Sequence, residues 1–129
     1  MERLLKVIRA ICQKPGIYVG QPRMPLVRSF LLGYVIALGE SKELENDPFG
    51  GFLRWLEAKH GICHPGWGWD RILTHAAGSD KEAIRTLPEQ FELYLTELSN
   101  GTFDLAKADT HRIPCSEPEV TCTKGYNER

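Results

Sequence analysis

Residues able to do chemistry crowd into one short stretch of this chain. His60, Cys63 and His64 fall within five residues, and His75 follows a helix later. Imidazole and thiolate are ligands that zinc accepts. A closed zinc site needs four ligands, ordinarily supplied as spaced pairs, and that paired spacing is missing here. Cys63 beside His64 also offers a thiol next to a base. A working nucleophile and its base normally converge from distant segments, so a buried, structural Cys63 is the simpler expectation. Among the carboxylates Asp70 stands apart, because it follows Trp67 and Trp69 and aromatic neighbours can desolvate a charge. The competing role is a first-turn acid that complements a helix dipole, and we favour that role. These residues lead us to expect no catalytic centre, no metal site and no cofactor.

Aromatic placement gives a different signal. Tyr18, Trp67 and Trp69 lie in or beside expected loops. Such residues anchor loops to cores and also dominate binding hot spots. With Arg28 and Asp70 they form the set expected to contact a partner. Nucleotide binding has no comparable support, since no Walker-type loop or GxGxxG is present. Lys14–Gly20 (KPGIYVG) resembles the RPGMYIG segment of the type II topoisomerase ATPases. The acidic nucleotide box and glycine-rich lid of that family do not follow, so a shared turn is the expected meaning.

The elements that must position these residues read as helices. Leu4, Leu5, Ile8, Ile11 and Cys12 make a 3.6-period stripe over residues 2–13, stopped by Pro15 and Gly16. Residues 14–22 are expected to be a shaped turn with an extended centre. A helix over 25–39 is apolar almost all round, which places it in the middle of the fold. Asp47 can cap a third helix, with Pro48 at its first position and Gly61 at its end. Trp69, Ile72, Leu73 and Ala76 predict a helix over 69–77, closed by Gly78. Ser79 with Glu82, and Thr86 with Glu89, are two capping boxes. Residues 79–99 are therefore two helices meeting near Thr86 or one kinked helix. Phe103 and Leu105 are expected to dock, and residues 102–129 to be an irregular tail. The fold class that follows is all-α: a bundle of about five helices over 1–101.

At 129 residues, with 42% hydrophobic and 26% charged residues, the chain matches one globular domain. Its net charge of −1 gives no support to nucleic-acid binding. The charge is uneven. Residues 1–40 hold six basic and two acidic residues, a balance of +4, and the rest holds ten against fifteen, a balance of −5. Such a gradient can steer a protein partner. The amphipathic N-terminus is not a secretory signal. The apolar stretch from Ser29 to Gly39 is about half of what a membrane span needs. A cytoplasmic protein with no membrane association is expected. Its four cysteines (Cys12, Cys63, Cys115, Cys122) then read as free thiols.

Four short segments occur in a recognisable order: Pro15–Gly20 (PGIYVG), Phe30–Tyr34 (FLLGY), Phe52–Leu56 (FLRWL) and Gly66–Ile72 (GWGWDRI). This order resembles a loosely defined group of small bacterial proteins. The resemblance spans roughly residues 10–98. It implies a place in toxin–immunity systems, where a small partner blocks a toxin domain by covering it. The expected function is accordingly a non-enzymatic protein-binding module, an immunity protein acting by steric occlusion. Two alternatives stand beside it. One is a small enzyme or metal-binding protein centred on His60, Cys63, His64 and Asp70. The other is a structural homo-oligomer whose apolar helix over 25–39 lies at a self-interface.

Overall fold

The computed structural model describes residues 2–40, 47–62 and 64–106. Six helices account for most of them: α1 (Glu2–Gln13), α2 (Pro15–Val19), α3 (Met24–Glu40), α4 (Pro48–His60), α5 (Trp69–Ala77) and α6 (Asp80–Ser99). No strand occurs among the described residues, and the fold is all-α.

Local chemistry explains the boundaries. The Asp47 carboxylate accepts from the Phe49 amide at 2.9 Å and Pro48 occupies the first turn of α4. The Ser79 hydroxyl accepts from the Glu82 amide at 3.1 Å and starts α6. Gly61 (φ 64°) and Gly78 (φ 97°) end α4 and α5 in the left-handed region, which a side chain would strain. One cap crosses the fold. The Met24 amide at the start of α3 donates to the Asp80 carboxylate of α6 at 2.9 Å. That contact ties the two N-termini together.

Three points bear on the expectations: two overturn them, and one decides between the alternatives of two helices and one over residues 79–99. Pro15–Val19 is one helical turn and not an extended segment. Proline at the first position suits a helix start, and five residues are too few for periodicity to show. Residues 79–99 form a single helix through Pro88. The Thr86 hydroxyl, expected to cap a new helix, donates back to the carbonyls of Glu82 (3.0 Å) and Ala83 (3.3 Å). The third change is the largest. The middle of the bundle belongs to α6, which packs against α1, α3, α4 and α5. Helix α3 lies at the periphery, with one face on the core and the other in solvent.

The core is continuous across the bundle. Leu4, Ile8 and Ile11 of α1 enter it from one side, Val27 and Leu31 of α3 from another. At its centre Phe49 and Phe52 of α4, Trp69 of α5, and Phe91 and Tyr94 of α6 interlock. The Phe49 and Trp69 rings stack at 4.8 Å, and Phe52 meets Phe91 edge to face at 5.1 Å. The Trp55 indole donates to Glu97 at 3.0 Å, so its one polar atom is satisfied. Beyond α6, Phe103 docks edge-on against Tyr94, as expected. Residues 107–129, expected to form most of the tail, lie outside the described residues.

Two substitutions test this core. Phe52 has no exposure, and Phe52→Ala is expected to cost about 3–5 kcal/mol. Gly51 sits directly beneath the Tyr94 hydroxyl, where a Cβ would collide. Gly51→Ala should cost about 1–3 kcal/mol through overpacking. Urea unfolding followed by circular dichroism measures both. A Gly51→Ala chain as stable as wild type would contradict the α4–α6 packing described.

Candidate interaction surface

The five residues expected to meet a partner do not converge on one spot. Arg28 projects from the flank of α3 toward the start of α5, where its Nε lies 3.2 Å from Asp70 Oδ1. Gly68 makes room for this ion pair, since a Cβ there would lie 2.8 Å from the same Asp70 oxygen. Asp70 sits in the first turn of α5 and accepts from the amides of Asp70 and Arg71. It thus fills the helix-dipole role favoured from sequence. Burial pushes its carboxyl above the ordinary carboxylate value, while Arg28 and those amides pull it part of the way back.

Trp69 has a different position from the one expected of a contact residue. Its side chain is 7% exposed and stacked on Phe49, so it builds the core and not the surface. As the first residue of α5 it faces inward toward α4, a direction that loop position alone does not reveal. Trp67 is half-buried. His64 stacks on its ring at 3.8 Å, the Arg71 guanidinium lies 4.6 Å from the ring centroid, and His75 is 5.5 Å away. Tyr18 is exposed on α2 and touches Phe30 of α3 edge-on at 6.4 Å.

Of the histidines considered for chemistry, His64 and His75 both lie against the Trp67 ring. His64 is stacked against Trp67, and His60 closes α4, where burial and neighbouring Lys59 lower its basicity. Cys63 lies outside the described residues, as do Cys115 and Cys122. Among the described residues no three His, Cys, Asp or Glu side chains are placed to hold a metal ion. A groove of about 180 Å³ runs between Arg28, Leu32, Phe49, Leu53 and Trp69. That is smaller than the roughly 300–1,000 Å³ of ordinary ligand pockets. A second hollow, of about 320 Å³, lies between the α1–α2 junction and the start of α6. It contains Cys12, whose thiol burial pushes up to about 12, so the thiol is protonated and a poor nucleophile at neutral pH.

Sequence reasoning offered the helix over 25–39 as the middle of the fold or as a self-interface, and it missed the apolar side chains that α2 adds beside it. Leu26, Phe30, Leu32 and Ile36 of α3, with Ile17 and Tyr18 of α2, are 38–72% exposed. The Tyr18–Phe30 contact joins the two helices into one apolar surface. The signal was the all-round apolarity of residues 25–39. Such a helix can be buried inside a fold or covered by a partner, and its exposed face leaves the second outcome open.

No described protein family, curated protein or solved structure matches this chain. Its functional reading therefore rests on geometry. Among the described residues no helix is long and apolar enough to cross a membrane.

The ion pair supplies a pH test. Between the ordinary carboxylate value and the raised folded value, the folded chain keeps a proton that the unfolded chain has lost. Stability contributed at Asp70 is thus greatest in acid and falls as pH rises through that window. Asp70→Asn should flatten that part of the stability–pH profile. Arg28→Met should move the Asp70 carboxyl still higher, read by NMR titration. An unmoved carboxyl would show that solvent screens the pair.

Proposed function

We propose that this chain is a non-enzymatic protein-binding module that works through the exposed apolar face of α2 and α3. One observation carries the reading: six large apolar side chains stand in solvent on adjoining helices. Exposed apolar residues scattered singly are ordinary. A contiguous patch is not, and it marks a surface that a partner covers. The patch is rimmed by Arg23, Arg28 and Glu40, the polar border typical of an interface. The groove beside Arg28 is small for a ligand pocket, and the thiol of Cys12 in the second hollow is held protonated, which favours binding over chemistry.

Toxin immunity is the narrower form of this proposal. The resemblance of the four ordered segments supports it, as does the excess of basic residues before residue 40, which would steer an acidic toxin surface. Tyr18 belongs to the apolar face itself, and the Arg28–Asp70 ion pair offers such a partner polar contacts on the flank of α3.

Tagged chain recovered from native host lysate tests the proposal beside a Phe30→Asp/Ile36→Asp variant. Wild type should retain a stoichiometric protein, of another kind or a second untagged copy. The variant should lose it while keeping its helical circular dichroism. Recovery of wild type as a bare monomer would defeat the reading.

A further inference from the structure

We propose that the occupant of the α3 face is a second copy of this chain, packed antiparallel across a two-fold axis at Gly33. The inference rests on the reading of this face as a protein-contact surface and adds the partner, the direction and the register.

Direction comes from charge. Helix α3 has no acidic residue in its first turn and no basic residue in its last. Arg23 immediately precedes it and Glu40 ends it, so its terminal charges oppose what its own dipole favours. Neither residue has an ion-pair partner among the described residues. Sequence extends the pattern, with Lys14 before Arg23 and, after Glu40, the three acids Glu43, Glu45 and Asp47 against the one base Lys42. A helix that is positive at its start and negative at its end repels a parallel copy. It attracts an antiparallel one, and the opposed dipoles add to that attraction. A two-fold interface needs such a self-complementary surface.

Register comes from side-chain size. The middle of the outer face carries Ser29, Gly33 and Ala37 at four-residue spacing, all exposed. A Cβ at Gly33 would meet nothing within 4 Å, so nothing inside the monomer requires a glycine there. With the axis at Gly33, Phe30 of one copy faces Ile36 of the other, Ser29 faces Ala37, and Leu26 lies along the stem of Glu40. Arg23, one turn beyond Leu26, then comes within reach of the Glu40 carboxylate. Tyr18, already against Phe30, flanks the same contact.

Residues 107–129 are a poorer cover. Their large apolar side chains are Ile113, Val120 and Tyr126, too few to match six. The 17 residues of α3 span about 25 Å, so the paired face falls at the small end of specific interfaces. It leaves the Trp67 and Asp70 edge open to a different protein.

Sedimentation equilibrium of the purified full chain over about 1–100 µM decides the matter. Wild type should pass from monomer to a limit of twice the chain mass. Gly33→Arg places like charges on the axis and should weaken the dimer at least about 30-fold, with unchanged circular dichroism and thermal midpoint. Ile36→Asp should do the same by removing apolar contact. Arg23→Glu and Glu40→Arg each suit the isolated helix better, yet each should weaken the dimer by roughly fivefold. Combined, they should restore wild-type affinity. A wild type that stays monomeric at the top concentration overturns the second copy, whereas the binding-module reading falls only if lysate capture fails too. A dimer indifferent to Gly33→Arg overturns the face. A charge-reversed double variant that fails to recover overturns the antiparallel direction.

Discussion

The interlocked rings of Phe49, Phe52, Trp69 and Phe91 are the contact on which the rest of the structure depends. They come from three helices, and each ring touches at least one from a different helix. Large rings bury more apolar area than any other side chain and tolerate few relative orientations. Once Trp69 is seated on Phe49, the start of α5 is fixed, and Asp70 with it. Asp70 then meets Arg28, and α3 is held with Val27 and Leu31 inward. The exposed face of α3 is thus a consequence of a packing decision made on the other side of the bundle.

That exposure has a physical cost. An apolar side chain left in water forgoes roughly 1.5–3 kcal/mol of burial. Six such side chains on adjoining helices represent free energy that the monomer does not collect. A partner can collect it, less the entropy of association. The reversed terminal charges of α3 act in the same direction. Inside the monomer they oppose the dipole, although Asp80 offsets part of that at the N-terminus by accepting from Met24. Apolar area and charge order are independent properties of this helix, and both are better satisfied outside the monomer than within it.

Two of the residues that looked reactive, His64 and Asp70, have structural contacts. His64 stacks on Trp67, Arg71 lies close to the same ring, and Asp70 accepts from the first amides of α5. These contacts pack His64 and Trp67 against the first turn of α5. Cys12 follows the same logic, because burial that shields the thiol from water also keeps it protonated.

Sequence by itself determined the all-α class, five of the six helices and nearly all of their ends. Caps at Asp47 and Ser79, stops at Gly61 and Gly78, and the stripes of α1 and α5 are local interactions, complete within a few residues. The one-turn helix α2 escaped because five residues cannot display a period. Tertiary structure alone decided which helix is central, which face of α3 is covered and which tryptophan is buried. Leu31 and Leu32 are the same residue type one position apart, yet one is sealed and the other stands in solvent. Nothing local separates them. The difference arises from where α5 and α6 press against the helix, and that is settled by contacts between residues far apart in the chain.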